Sequence, residues 1–370
     1  MDDPLTLPLS LNDRLARLPS PDARLKWLAK HRLLGPSEIL VARGLIPADL
    51  GHLAQAVTEK SPRVSAAQIS EERRVVTALG TDRCRALVLK GCLLAHTVYS
   101  APNQRWRADL DILVDSQSVA QSREILDRLG YRPLTSVQGG TPIPQETWSI
   151  GDPSSGKRSN GNRSNNTRQD RRFVDLHWRL RSHPLLRDRL GFNEQWERAI
   201  ALPQLASEAR GQCLVHALLN AAMHWFDRLY AEPRPLGWLL DIDLLWRALD
   251  TGEEDCLVDL AQEREISCLV LACLQMCQRL FETPIKPGLL DRLECSAQNE
   301  LAGGLLKVDK SPLRAYWFAL KCEPGWGGRV KRLKASLMPP AQYMYERYPE
   351  RSKFGLLGLY ARRIYQRSKQ

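Results

Sequence analysis

Asp109 and Asp111 sit in the run Arg-Ala-Asp-Leu-Asp-Ile-Leu-Val at residues 107–114. Their spacing places both carboxylates on one face of a strand, because side chains alternate at period 2. Leu110, Ile112 and Val114 then take the opposite face, so the expected element is a half-buried strand with an acidic outer face. Two like charges side by side are unfavourable unless a cation lies between them. Oxygen ligands of this kind suit Mg²⁺, which is held by one or two carboxylates plus substrate phosphates. The alternative is a solvated strand end that happens to carry two aspartates.

Two further segments bear on that choice. Upstream, Leu87-Val88-Leu89 is an apolar strand-like run, followed by Lys90-Gly91 and a helical pattern over residues 92–99. Gly91 is expected to permit the tight strand-to-helix turn. A helix that begins there offers free backbone N–H groups and a positive dipole end to a phosphate. Downstream, Phe-Val-Asp-Leu-His-Trp at residues 173–178 puts Asp175 and His177 on one strand face, and Val174, Leu176 and Trp178 on the other. A third carboxylate on a strand beside the first would complete a two-metal site.

This order of strand, glycine turn, helix, Asp-x-Asp strand and lone-Asp strand resembles the DNA polymerase beta-like nucleotidyltransferase superfamily. More narrowly, the chain resembles the bacterial group of uncharacterised nucleotidyltransferase-family proteins. The residues that carry the likeness are Lys90-Gly91, Arg105, the segment 109–114 and the Val-Asp-Leu-His-Trp of 174–178. His216, His224, the Trp-Leu-Leu-Asp-Ile of 238–242, and Pro339-Pro340 with Arg347-Tyr348 extend it along most of the chain. Many superfamily members carry Gly-Gly or Gly-Ser where this chain has Gly91-Cys92. No side-chain hydroxyl is therefore offered to the triphosphate there, while backbone contacts remain.

The resemblance implies transfer of NMP, with AMP expected, from an NTP to a hydroxyl acceptor. Asp109, Asp111 and Asp175 are the implied catalytic and metal-binding residues, for two Mg²⁺ ions with Mn²⁺ as an alternative. Lys90, Gly91 and Arg105 are the expected nucleotide contacts. His177, His224 and Asp241 are candidates for orienting groups, with Asp241 also a candidate general base or, more simply, a buried hydrogen-bonded helix residue. A peptide natural product, a sugar of a surface polysaccharide or a small metabolite are the acceptors the resemblance allows. A non-catalytic nucleotide- or nucleic-acid-binding protein on the same fold is the rival, and a phosphoryl or pyrophosphoryl transferase a third reading. A nucleic-acid acceptor is disfavoured, since no RNA-binding module is evident.

The elements that must position these groups follow from periodicity. Helical spacing runs through residues 11–61 and 65–79, predicting an N-terminal helical region over 1–80. Residues 81–185 read as an α+β core with a small mixed sheet, with a helix at 117–129 and short strands at 131–134 and 147–150. Inside the core, 151–172 is a basic, polar insertion expected to be disordered. From 186 to 370 apolar stripes predict helices at 214–230, 237–249, 257–281, 288–306, 316–320 and 354–365.

The 370 residues are 43% hydrophobic and 26% charged, values of a globular protein. No apolar run approaches the roughly 20 residues that cross a bilayer. The acidic start Met1-Asp2-Asp3-Pro4 lacks a secretory signal pattern, so a cytoplasmic location is expected. Nine cysteines without paired Cys-x-x-Cys motifs read as reduced core residues rather than a zinc site. No Gly-x-Gly-x-x-Gly or Gly-x-x-x-x-Gly-Lys-Ser/Thr loop occurs. The net charge of +11 is concentrated at 154–172 and 329–369, and reads either as solubility or as attraction for a nucleotide or polyanionic acceptor.

Overall fold

The structure is a computed structural model and describes residues 10–60, 64, 66–134, 145–151, 171–227, 234–307, 312–348 and 355–368. The chain opens with five helices: α1 (Leu11–Ala16), α2 (Pro21–Lys30), α3 (Ser37–Ala42), α4 (Ala48–Lys60) and α5 (Ala66–Thr81). Ser10 and Ser20 cap the first two by accepting from the backbone N–H of Asp13 and Ala23, satisfying donors that a helix start leaves open.

The core then runs β1 (Ala86–Val88), α6 (Lys90–Thr97), β2 (Asp109–Val114), α7 (Val119–Arg128), β3 (Arg132–Pro133), β4 (Gln145–Ile150) and β5 (Arg172–His177). It continues through α8 (Phe192–Glu197) into two short strands, β6 (Ile200–Ala201) and β7 (Arg210–Gly211). These make one seven-stranded mixed sheet in the order β3-β4-β5-β2-β1-β7-β6. The β2–β5 and β1–β7 pairs are parallel and the others antiparallel. The fold is α+β with helical flanks, as the sequence indicates.

The remaining helices are α9 (Leu214–Asp227), α10 (Gly237–Ala248), α11 (Thr251–Glu263), α12 (Ser267–Phe281), α13 (Pro287–Ala297), α14 (Gly303–Lys307), α15 (Pro312–Lys321), α16 (Gly325–Leu337), α17 (Ala341–Arg347) and α18 (Gly355–Ser368). One hydrophobic core runs from Leu11 in the first helix, through the sheet, to Leu305.

Several expectations need correction. The strand of Asp109 and Asp111 is not half-buried: every residue from Leu110 to Val114 is buried, because helices lie over its acidic face as well. The left-handed residue of the strand-to-helix turn is Lys90, at φ 47°, not Gly91. Gly91 is there for space, since a Cβ on it would lie 3.1 Å from Cβ of Arg107. The apolar stretch 257–281 spans two helices, broken where Glu265 takes φ 52°. A helix at 325–337 was not foreseen. Five cysteines are buried, but Cys295 is exposed, so not all are core residues. The expectation of disorder falls mainly on 152–170, outside the described residues.

Candidate active site

β2 and β5 are adjacent parallel strands near the middle of the sheet, and their register sets the site. Asp111 lies directly opposite Asp175, Asp109 opposite Phe173, and Leu113 opposite His177. The three carboxylates thus share one face. Ligating atoms of Asp111, Asp175 and His177 all lie within 4.8 Å of one another. Asp109, two residues earlier on the same face, lines the same cleft of about 350 Å³.

Asp111 is the anchor. One of its oxygens accepts from Lys90 Nζ at 2.5 Å and from His177 Nε2 at 2.9 Å. Because a carboxylate only accepts, His177 carries its proton on Nε2. Burial, then the Lys90 charge, lowers the imidazole's pKa, so the ring is neutral near pH 7, and its buried Nδ1 has no hydrogen-bond partner among the described residues. Burial alone would raise the pKa of Asp111, but Lys90 and His177 hold it well below the usual carboxylate range. Asp109 goes the other way. Loss of hydration first, then the charges of Asp111 and Asp175, push it up to about 7, against the pull of Lys90 and Arg32.

Asp175 is steadied from the neighbouring strand. Thr147 pairs with it across β4–β5, and its hydroxyl donates to Asp175 Oδ1 at 2.6 Å. Nothing in the sequence pairs 147 with 175; only the sheet register does.

The first turn of α6 forms another wall. Leu89 stands at its N-cap without a side-chain cap, so the backbone N–H groups there are left for another acceptor. Lys90 and Gly91 both line the cleft.

α9 and α10 close the site from above. His224 and Trp238 meet there with ring centroids 4.7 Å apart. His216, on the same helix as His224, points elsewhere: it is buried between Cys213 and Glu194. Asp241 is buried, and its oxygens accept from Arg105 Nε and Nη2, each at 2.7 Å, and from the Tyr99 hydroxyl at 2.8 Å. Arg105 and Asp241 therefore satisfy each other in the cleft wall, 136 residues apart. Both line the cleft, with the charge of each set against that of the other.

Besides Lys90, a second cation, which sequence reasoning missed, acts on the carboxylates. Arg32 follows α2 with φ 60°, and its guanidinium lies 4.1 Å from the Trp106 ring centroid and 5.5 Å from that of Trp238. It lines both the cleft and a neighbouring cavity of about 450 Å³ bordered by Glu38, Glu59, Gln55 and Gln104. No sequence signal marks it, because its importance comes from packing between two distant tryptophans.

The donor set fits a divalent cation. Three carboxylates converge, and burial together with the charges of the other two pushes the pKa of Asp109 up to about 7, which is the imbalance that bound cations relieve.

A family model described as an uncharacterised nucleotidyltransferase matches residues 20–282. This span contains every residue of the cleft named above. No curated protein matches the chain.

Proposed function

This chain belongs to the uncharacterised nucleotidyltransferase family, and from that premise we propose that it transfers a nucleoside monophosphate, AMP before others, from an NTP to a hydroxyl acceptor. The acceptor oxygen bonds to the α-phosphorus, the bond from that phosphorus to the leaving pyrophosphate breaks, and the acceptor's proton is lost. The observation that carries the reading is the in-register placement of Asp111 and Asp175, with Asp109 on the same face, at the floor of one cleft.

Asp109, Asp111 and Asp175 would hold two Mg²⁺ ions, or Mn²⁺ in their place. Bound there, the ions supply charge neutralisation for the attacking and leaving oxygens. Lys90 and His177 fix Asp111 in its ionised form, and Thr147 fixes the orientation of Asp175. The uncapped start of α6 at Lys90 and Gly91 is suited to the β- and γ-phosphates through backbone N–H groups. Arg32, rather than Arg105, is the guanidinium suited to phosphate charge. Arg105 and Asp241 act by bracing the wall, and the His224–Trp238 pair offers aromatic surface to a base or acceptor. The cavity beyond Arg32, with its carboxylates and amides, favours a polar acceptor such as a sugar or peptide.

The test is transfer of label from each α-labelled NTP to acceptors in a host extract, with Mg²⁺, beside an Asp109→Asn/Asp175→Asn variant. Label moved by the wild type alone supports the reading. NTP binding without transfer or pyrophosphate release, across competent acceptor pools, favours a binding protein instead. The mass of the product separates NMP transfer from phosphoryl or pyrophosphoryl transfer.

Thr147 provides a finer probe. Thr147→Val keeps the volume and removes the donor to Asp175. Groups that orient metal ligands are typically worth about 10–100-fold in metal affinity or activity. A loss of about 10-fold in transfer, with a raised Mg²⁺ requirement and near-normal rates for Thr147→Ser, is expected. Equal Mg²⁺ titrations for Thr147→Val and wild type would show that the hydroxyl has no such role.

A further inference from the structure

Residues 312–370 contain thirteen Lys and Arg against three Glu, so ten of the chain's +11 formal charges lie there. The preceding 311 residues are balanced to within one charge. This segment begins 30 residues beyond the end of the family match at 282.

Within it, α16 has a distinctive pattern. Its thirteen residues include Arg329, Lys331, Arg332 and Lys334 and no acid. One side is tied to the protein: Ser336 is buried, Arg332 pairs with Glu323 at 2.8 Å, and the helix packs on α15 and α18. The other side carries Trp326, Val330, Leu333 and Leu337, which are 78%, 57%, 40% and 40% exposed. The spacing of i, i+4, i+7 and i+11 puts all four within an arc of roughly 60° at 3.6 residues per turn. On the same helical geometry Lys334 and Lys331 border one edge of the stripe and Arg329 the other. Met338, the next residue after the helix, is 52% exposed.

An exposed apolar stripe rimmed by cations is the pattern of a helix that lies in a lipid interface. The apolar residues enter the headgroup–acyl boundary and the cations meet anionic headgroups. A nucleic acid would use the cations and can stack a base on Trp326, but gains little from the aliphatic Val330, Leu333 and Leu337 that make up the rest of the stripe. A second copy of the chain would bring two wholly cationic helices together. At about 1.5 Å per residue the helix is roughly 20 Å long, and no helix among the described residues is long and apolar enough to cross a membrane. We propose that α16 is a peripheral membrane-binding helix that seats its Trp326–Leu337 stripe on a phospholipid surface carrying anionic headgroups.

The test is cosedimentation of the full chain with vesicles of phosphatidylcholine containing phosphatidylglycerol, beside phosphatidylcholine alone. Binding to the anionic vesicles, weakened by salt, is expected. Lys331→Ala/Lys334→Ala lowers the partition coefficient on the order of 10-fold, and Trp326→Ser/Leu333→Ser by at least about 10-fold. All four side chains are exposed, so both variants keep the wild-type circular dichroism and melting temperature. Failure of the wild type to bind anionic vesicles overturns the proposal, as does wild-type binding by the stripe variant. So does salt-sensitive capture of an oligonucleotide in preference to vesicles, or vesicle-free self-association that the stripe variant abolishes. The readout does not involve the carboxylate cleft.

Discussion

Asp175→Asn is expected to lower nucleotidyl transfer on the order of 10³-fold, equivalent to about 4 kcal/mol in the barrier, while leaving the fold intact. The substitution changes one atom and removes one of three negative charges. The amide oxygen can still accept from Thr147, which now donates to Asp175 Oδ1 at 2.6 Å, so the β4–β5 rung keeps its side-chain bond. Asp111→Asn would be a poorer probe, because Lys90 and His177 both depend on that buried carboxylate. Transfer assays should be read beside thermal melts. A folded Asp175→Asn protein that turns over within tenfold of wild type would remove the third carboxylate from the mechanism.

Glu72→Ala is expected to destabilise the protein by about 3–5 kcal/mol, the cost of stranding a buried charge. That is a large share of the roughly 5–15 kcal/mol by which a domain is stable. Glu72 on α5 accepts from Arg107 Nε and Nη2 through its two oxygens, both at 2.6 Å. Their side chains are only 4% and 2% exposed. Arg107 also donates to the carbonyls of Pro102 and Arg105, but neither cancels its charge. A Glu72→Ala/Arg107→Met double variant should recover most of the loss, since apolar replacement of a buried pair is often neutral. Urea denaturation measures both. A loss below about 1 kcal/mol for Glu72→Ala would mean that water or rearrangement satisfies Arg107. The pair also bears on the cleft, because the Arg107 side chain fills the space beside Gly91.

The carboxylate cluster was legible in the sequence because its logic is local. Period-2 alternation puts Asp109 with Asp111, and Asp175 with His177, on single strand faces whatever surrounds them. Their pairing was suggested by motif order, and the β2–β5 register aligns Asp111 with Asp175. The groups that tune the cluster were not legible. Lys90 was placed at the site as a phosphate contact, but its bond to Asp111 was not read; Thr147 and Arg32 reach the cluster through a strand register and a stack between two tryptophans, neither of which has a sequence period. Arg105 looked like a free cation because its partner, Asp241, lies 136 residues away. Burial of the acidic strand was missed for the same reason: a strand does not announce which helices will cover it. Short elements failed differently. β6 and β7 have two residues each, too few to show alternation. The start of α16 is rich in glycine, which weighs against a helix by propensity.

Ile150 and Arg172 are partners across the end of the β4–β5 ladder, and this rung governs how the protein can change in length. Everything between them is closed by a pairing that the rest of the sheet enforces, three residues before Asp175. The closure entropy of such a connection rises only as the logarithm of its length, about 0.6 kcal/mol for each doubling. Extra residues gained or lost at this point in the chain's history would change stability slightly and leave the carboxylate register alone. The rung is thus a natural port for sequence drift, and for an inserted reporter or tag, beside a centre whose geometry tolerates almost none.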